Sequence, residues 1–212
     1  MLQFNKYWGK DQLVDIVGFN KPTFNLEDNF QFISVASYNY PASKWTTALI
    51  EYLELIPDKQ LIIFLEDYWL KEPVNVVCVE SMWEYAQTER RLLRLDLTAD
   101  RKQHTSAFAY DVYNGFDIIR TLQPTPYQMS YQCGIFNKEN LLKLLVPNET
   151  AWQSEVEGSN RIPDSMLVLG TTCYPVRYVP TLRSHRKGLQ HFDRFTEEDQ
   201  KAILRFVPED KR

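Results

Sequence analysis

Two adjacent carboxylates, Glu66 and Asp67, directly follow the most apolar short run of the chain, LIIFL at positions 61–65. Such a run is typical of a strand that is covered on both faces, and open α/β sheets bind ligands at the carboxyl ends of parallel strands. Hard divalent ions take oxygen ligands from one or two carboxylates, and substrate phosphates complete the shell. The pattern leaves two interpretations open: a divalent-metal site, or one carboxylate that caps the next turn beside one that is solvated.

Other acidic and amide side chains occupy positions where they could bind or react. Asp96 ends a second apolar run, LLRLDL, where it would either contact a ligand or hold a loop. Glu155 and Glu157 would stabilise a helix N-terminus. Ser130 and Gln132 would donate hydrogen bonds to ligand hydroxyl groups, or they would belong to an ordinary alternating strand.

Basic residues cluster late in the chain. Arg and Lys side chains stabilise negative charge that develops on oxygen atoms in a transition state, and a solvated surface run is the alternative interpretation. Arg183 and Arg186 are the candidates that we single out from the cluster Arg177, Arg183, His185, Arg186 and Lys187. With only 7 glycines in 212 residues, the chain offers no glycine-rich phosphate loop or dinucleotide-binding fingerprint.

Composition excludes several classes of protein. The net charge of −4 and the sequence pI near 5.5 argue against nucleic acid as a partner, because phosphate backbones are met by a basic excess. No apolar run approaches the roughly 20 residues of a transmembrane helix, and the first residues lack a signal-peptide pattern. The 3 cysteines are scattered, which fits neither a metal-ligand spacing nor a disulfide framework. We therefore expect a cytoplasmic protein with reduced thiols.

Strands and helices alternate in the first half of the sequence. Runs at 13–19, 30–35, 61–65 and 92–97 predict strands, while the helical period at 42–56, with Ser43 as N-cap, and a helix capped by Asn75 lie between them. This alternation predicts an open, largely parallel sheet.

The second half has a different character. Asn114-Gly115 between β-rich runs predicts a hairpin, and 128–136 predicts another strand. Asn137, Thr150 and Thr196 are expected to cap helices. The whole pattern predicts one α/β domain over 1–212, with an open mixed sheet that is mostly parallel in the N-terminal half, flanking helices and an antiparallel hairpin appendage.

Several blocks, taken together and in this order, resemble a known group of proteins. They are Lys44-Trp45, LIIFLEDYWL (61–70), LRLDLTADR (93–101), TPYQMSYQCGIFNKENLLKLL (125–145), Trp152-Gln153-Ser154-Glu155 and VLGTTCYPVRYV (168–179). The chain is similar, from about Tyr7 to Val179, to bacterial and phage glycosyltransferase-like proteins with the nucleotide-diphospho-sugar transferase fold, called GT-A. The resemblance implies the fold and the class of reaction rather than the substrate.

The resemblance also implies roles for the candidate residues. GT-A enzymes bind a divalent metal, Mn or Mg, through a short DXD motif that bridges the donor diphosphate. The matching residues here are Glu66 and Asp67, which depart from strict DXD. In inverting members a carboxylate deprotonates the acceptor hydroxyl, and Glu155 matches that position. Asp67 would be catalytic together with Glu155.

The remaining candidates would line the donor and acceptor sites. Donor-binding residues would be Asp96, Gln132, Arg183 and Arg186, and the acceptor pocket would draw on Tyr68, Trp69, Tyr127 and Trp152. The expected reaction moves a sugar from a nucleotide-diphosphate donor to a hydroxyl acceptor, in surface polysaccharide or other glycan synthesis. The alternatives are a non-catalytic nucleotide- or glycan-binding module of the same fold and a purely structural subunit.

The family-like pattern starts almost at once, at Tyr7-Trp8, with no clear strand before it. Because a GT-A fold opens with a strand and a loop that cradle the nucleotide base, we expect an incomplete N-terminus or a reduced base pocket.

Overall fold

A computed structural model describes residues 1–35, 42–103, 107–122, 125–181 and 189–207. Ten strands lie within these residues: β1 (Val14–Gly18), β2 (Phe30–Ser34), β3 (Gln60–Ile63), β4 (Tyr68–Leu70), β5 (Leu92–Asp96), β6 (Ala107–Tyr113), β7 (Phe116–Thr121), β8 (Gly134–Asn137), β9 (Leu167–Thr171) and β10 (Tyr178–Pro180). The helices in the same residues are α1 (Leu2–Tyr7), α2 (Trp45–Leu55), α3 (Val76–Thr88), α4 (Lys138–Leu144), α5 (Ala151–Arg161) and α6 (Glu197–Leu204). No helix among them has the length and apolarity that crossing a membrane requires.

The largest sheet has six strands in the order β3-β8-β5-β9-β7-β6. Strand β8 is antiparallel to both of its neighbours, β5 and β9 are parallel, and β7 is antiparallel to β9 and β6. The α/β class, with a mixed sheet flanked by helices, is therefore confirmed. The expected mostly parallel arrangement is wrong, because β8 comes from the second half of the chain and inserts between β3 and β5.

Two smaller sheets accompany the large one. Strands β1 and β2 form a parallel pair, and β4 pairs with β10 in antiparallel orientation. The β1–β2 pair is tied to α2 by a hydrogen bond of 2.6 Å from the Tyr52 hydroxyl to Asp15 Oδ2.

Helices cover both faces of the large sheet. One hydrophobic cluster joins α3 to Leu95 of β5 and Leu169 of β9, and a second joins α2 and α4 to Leu93 and Phe136. Because successive side chains of a strand point to opposite faces, each central strand supplies both clusters. This double coverage explains why all five residues of β5 are buried.

The predicted N-caps are confirmed for most of the helices concerned, and the predicted hairpin is confirmed. Asn75, Asn137, Thr150 and Thr196 each accept a hydrogen bond from a backbone N–H of the following turn, as predicted. At the β6–β7 turn, Asn114 and Gly115 have φ of 51° and 81°, as a two-residue hairpin loop requires.

The predicted N-cap Ser43 is wrong. Residues 42–44 form a short 3₁₀ turn, and α2 begins after Lys44 without a side-chain cap.

Two predicted strands differ from the structure. Of the run 128–136 only the end is a strand, since β8 begins at Gly134, and the residues before it form an irregular, largely buried segment. Only residues 61–63 of the LIIFL run belong to β3, which lies at one edge of the six-stranded sheet and is only partly buried. The central position belongs to β5, although that strand carries Arg94 and Asp96.

The C-terminal residues pack on the β4–β10 pair. A separate hydrophobic cluster is formed by Val179 of β10, Ile203 of α6 and Phe195, which precedes α6. Asp199 of α6 accepts hydrogen bonds from Lys6 Nζ at 2.9 Å and from the Tyr7 hydroxyl at 2.5 Å. We call this three-residue contact the α1–α6 clamp.

Candidate functional site

Three strands of the large sheet end at the same edge of the sheet. The register aligns Gly134 of β8 with Ile63 of β3 on one side and with Asp96 of β5 on the other. Asp96 in turn lies opposite Gly170 of β9. Because β3, β5 and β9 run in the same direction, their carboxyl ends at Ile63, Asp96 and Thr171 form one edge, which we call the carboxyl edge. Ligands of open α/β sheets bind at such an edge.

Asp96 lies at the centre of a buried charged cluster at this edge. Its Oδ1 accepts hydrogen bonds from Arg94 Nη2 at 3.1 Å and from the Thr98 hydroxyl at 2.8 Å. Its Oδ2 accepts the backbone N–H of Arg101 at 3.1 Å. Asp96 and Arg94 have no exposed surface, so these donors replace the water that the carboxylate loses.

Arg101 completes the cluster from the turn after β5. Its guanidinium donates to Asp100 Oδ2 at 2.6 Å, to the Gln128 side-chain oxygen at 3.1 Å and to the Tyr127 carbonyl at 2.7 Å. Two glycines make room for the arginines, because a Cβ at Gly170 would meet Arg101 Cγ at 2.7 Å and one at Gly134 would meet Arg94 Nε at 3.2 Å.

The irregular segment 125–133 accounts for much of the buried polarity. A buried segment outside helices and strands must find partners for its backbone groups. The Ser159 hydroxyl accepts the Met129 N–H at 3.0 Å and donates to the Met129 carbonyl at 3.5 Å. Arg94 Nη2 donates to the Gln132 carbonyl at 3.3 Å, and Arg101 donates to the Tyr127 carbonyl. Part of the charged cluster therefore has a structural role.

Glu155 projects from α5 onto the same segment. The Thr150–Gln153 capping box begins this helix, and Glu155 Oε1 accepts the Tyr131 backbone N–H at 2.7 Å. Burial raises the pKa of Glu155 above its ordinary value, opposed by the Tyr131 hydrogen bond and the positive charge of Arg94. The carboxyl group is thus oriented, partly buried and more basic than a solvated glutamate.

Gln132 is held at both ends of its side-chain amide. Its oxygen accepts from the Tyr178 hydroxyl at 2.5 Å, and its nitrogen donates to Asp100 Oδ1 at 3.4 Å. The Tyr178 ring packs edge-on against Tyr68, with centroids 4.4 Å apart. A chain of contacts therefore joins the charged cluster to the turn that carries Asp67.

Glu66 and Asp67 lie in the turn between β3 and β4. Glu66 is exposed and Asp67 is partly buried. The Asp67 carbonyl accepts the Thr181 N–H at 2.8 Å, which ties this turn to the end of β10. Within the described ranges, no three His, Cys, Asp or Glu side chains are grouped so that they could hold a metal ion. The metal role of Glu66 and Asp67 stays a prediction.

The structure brings some candidates together and separates others. Asp96, Gln132 and Glu155 lie close together around residues 130–132. Glu155 bonds to this stretch directly, whereas Asp96 and Gln132 are joined through shared partners. Trp152 of α5 is 65% exposed, and Trp69 packs toward Phe195, 6.5 Å between ring centroids, in the C-terminal cluster. Arg183 and Arg186 lie outside the described residues.

Sequence reasoning missed four members of the site: Arg94, Asp100, Arg101 and Tyr178. A signal for the first was present, since Arg94 and Asp96 stand two residues apart inside an otherwise apolar run. Charges with that spacing point to the same face of a strand, where each must be paired if the strand is buried.

Fold and site together define an α/β protein with a mixed six-stranded sheet and a buried charged cluster at its carboxyl edge. Comparison with protein-family models, with curated protein sequences and with solved structures finds no match to this chain.

Proposed function

We propose that this protein transfers a sugar from a nucleotide-diphosphate donor to a hydroxyl acceptor, in surface polysaccharide or other glycan synthesis. The observation that carries this function is Glu155, whose carboxylate is oriented by Tyr131 N–H beside Arg94 and the carboxyl edge. The GT-A resemblance of the sequence blocks supplies the class of reaction.

Glu155 would act as the general base. One of its oxygens is fixed by the backbone, and burial raises the pKa of the carboxyl group. A base whose pKa is nearer the working pH accepts a proton from an attacking hydroxyl more effectively, and such catalysis contributes about 10²–10⁴-fold.

The donor would bind between the Glu66–Asp67 turn and the charged cluster. Asp67, with Glu66, would hold Mn²⁺ or Mg²⁺, and the donor's phosphate oxygens would complete the metal's coordination shell. The metal would neutralise charge on the leaving diphosphate, and Arg183 and Arg186 would add positive charge there. Asp96 and Gln132 would affect donor binding indirectly, because they hold the charged cluster in place.

A non-catalytic binding module of the same fold is the alternative, and one observation favours it. Arg94, Asp96 and Arg101 are fully or almost fully buried and bond to one another or to the segment 125–133. Charges that are paired with one another in this way stabilise a fold without touching a ligand, and a fold by itself does not imply catalysis.

The test is turnover of a panel of nucleotide sugars with Mn²⁺, by the wild type and by Glu155→Gln. The amide keeps the size of the side chain and removes its basicity, so turnover should fall by about 10²-fold or more while donor binding is kept. Glu157→Gln is the matched control, because Glu157 is exposed on the same helix.

Three outcomes are informative. Turnover that is lost in Glu155→Gln and kept in Glu157→Gln supports the proposal. Metal-dependent binding of nucleotide diphosphates without turnover by the wild type identifies the binding module. If the wild type neither binds nor turns over any donor, the result supports a structural subunit.

A further inference from the structure

Two of the three thiols meet beside the carboxyl edge. Cys78 lies in the first turn of α3, and Cys173 lies in the loop that follows β9. The Asn75 side chain bonds both residues, since its oxygen accepts the Cys78 backbone N–H at 3.1 Å and its nitrogen donates to Cys173 Sγ at 3.4 Å. Both cysteines belong to the hydrophobic cluster around α3, in which Cys78 is buried and Cys173 packs against the buried residues.

The two thiols differ in their access to solvent. Cys78 is fully buried, whereas Cys173 is partly exposed and lines a surface cavity of about 240 Å³. Glu72, Tyr174 and Arg177 are among the other residues of that cavity. Redox-sensitive cysteines are accessible and have a second cysteine within reach, and this pair has both properties.

We propose that Cys78 and Cys173 form a reversible disulfide when a hydroperoxide enters this cavity. The third thiol, Cys133, is buried directly before β8 and belongs to no such pair among the described contacts. The proposal stands independently of the glycosyltransferase function.

The chemistry proceeds in two balanced steps. The Cys173 thiol loses its proton, and the thiolate attacks one oxygen of the hydroperoxide, whose O–O bond breaks. Sulfenic acid is formed, and the other oxygen leaves with the released proton as an alcohol, or as water when the oxidant is hydrogen peroxide. The Cys78 sulfur then attacks the sulfenic sulfur, the S–O bond breaks, and water leaves with the thiol proton. The peroxide is reduced and the two thiols are oxidised. A dithiol reductant reverses the reaction by exchange.

The order of attack follows from burial. Desolvation and the neighbouring Cys173 raise the pKa of Cys78 to about 12. Because the thiolate is the reactive form, Cys78 is a poor first nucleophile, and Cys173 is the one that the cavity exposes.

The disulfide would pin the loop after β9 to α3. The loop already bonds its surroundings through Asn75 N–H to the Pro175 carbonyl and Val176 N–H to the Leu97 carbonyl, both at 3.0 Å. A covalent S–S bond of about 2.05 Å is shorter than a contact between two thiols. The loop side must move to form it, because Cys78 is held within a helix.

The experiment treats the native full chain with hydrogen peroxide and traps the remaining thiols in denaturant for intact-mass analysis. The wild type should lose two of its 3 thiols and two hydrogen atoms of mass, and peptide mapping should show a Cys78–Cys173 bond. Dithiothreitol should restore all of them. Cys133→Ser should behave as the wild type, since Cys133 has no part in the bond.

Two variants keep the test decisive if one of them fails to fold. Both Cys78→Ser and Cys173→Ser should lose the disulfide. Addition of oxygen to Cys173 without a disulfide in the wild type would overturn the proposal, and so would a bond that involves Cys133.

Discussion

At the scale of single residues, Glu66 and Asp67 are adjacent in sequence but differ in environment. Glu66 is exposed, whereas Asp67 is partly buried in a turn that Thr181 ties to β10. A metal ion that bridges to a donor diphosphate gains more from a carboxylate held in place than from a freely rotating one. We therefore expect the two side chains to contribute unequally.

The corresponding prediction concerns Asp67→Asn. The amide keeps the shape and removes an anionic oxygen ligand, so the melting temperature should change little. The Mn²⁺-dependent part of nucleotide-diphosphate affinity should fall by about tenfold or more. Calorimetric titration with and without Mn²⁺ measures this, and Glu66→Gln is the matched control with a smaller effect. Equal wild-type affinity in the presence of a chelator would remove the metal role of Asp67.

How far single residues could be predicted depended on what the sequence displays. Asp96, Gln132 and Glu155 were singled out by type and position, and the structure brings them to one segment of the chain. The partners Arg101 and Tyr178 could not be found, because Arg101 reaches the segment 125–133 across 26 or 27 residues and Tyr178 reaches Gln132 across 46.

At the scale of elements, β5 is a central strand with charges inside it. Its neighbours β8 and β9 present glycines opposite Asp96. Without Cβ atoms at those two positions, the stems of Arg94 and Arg101 lie directly on the sheet. The glycines are therefore a condition for burying the charged cluster.

Gly170→Ala should accordingly destabilise the fold. The added Cβ would lie 2.7 Å from Arg101 Cγ, and Arg101 cannot swing away without losing its hydrogen bonds to Asp100 and Gln128. The cost of overpacking is about 1–3 kcal/mol in the free energy of unfolding. Urea denaturation of the wild type and the variant measures it, and an unchanged midpoint would mean that Arg101 relocates freely.

Elements with local signals could be predicted, and their arrangement could not. The Asn75 cap and the Asn114-Gly115 hairpin depend on residues within a few positions of one another. The place of β8 depends on its pairing with β3, such as Ile62 with Ile135, which are 73 residues apart in sequence. Apolarity misled as well, because the most apolar run became an edge strand while β5 became central.

At the scale of the whole molecule, the α1–α6 clamp joins helices from the two ends of the chain. Asp199 is 1% exposed and accepts from Lys6 and Tyr7. Burial favours its protonated form, but the hydrogen bonds from Tyr7 and Lys6 outweigh burial and hold the pKa of Asp199 below its usual value. A depressed folded-state pKa stabilises the fold above the unfolded pKa of about 3.9, and this is lost as the pH falls through the folded value.

Asp199→Asn should lower the free energy of unfolding at pH 7 by about 2 kcal/mol, or the melting temperature by about 4–8 °C. Below about pH 4 the wild type loses the same contribution, so the two melting temperatures should converge. Glu198→Gln is the matched control, because its side chain is 85% exposed and lies 3.4 Å from Lys6 Nζ. A difference between wild type and Asp199→Asn that persists unchanged into acid would mean that ionisation of Asp199 does not stabilise the clamp.

The clamp also has a consequence for synthesis on the ribosome. Tyr7 and Asp199 are 192 residues apart in sequence, and translation at about 5–20 residues per second separates their appearance by roughly 10–40 s. Over that interval α1 can already pack Phe4 against Phe30 and Phe64, and Asn5 can bond Asn29. The hydrogen bonds of Lys6 and Tyr7 to Asp199 must wait until α6 has left the exit tunnel, so the docking of α1 is completed only after every strand of the large sheet has been made.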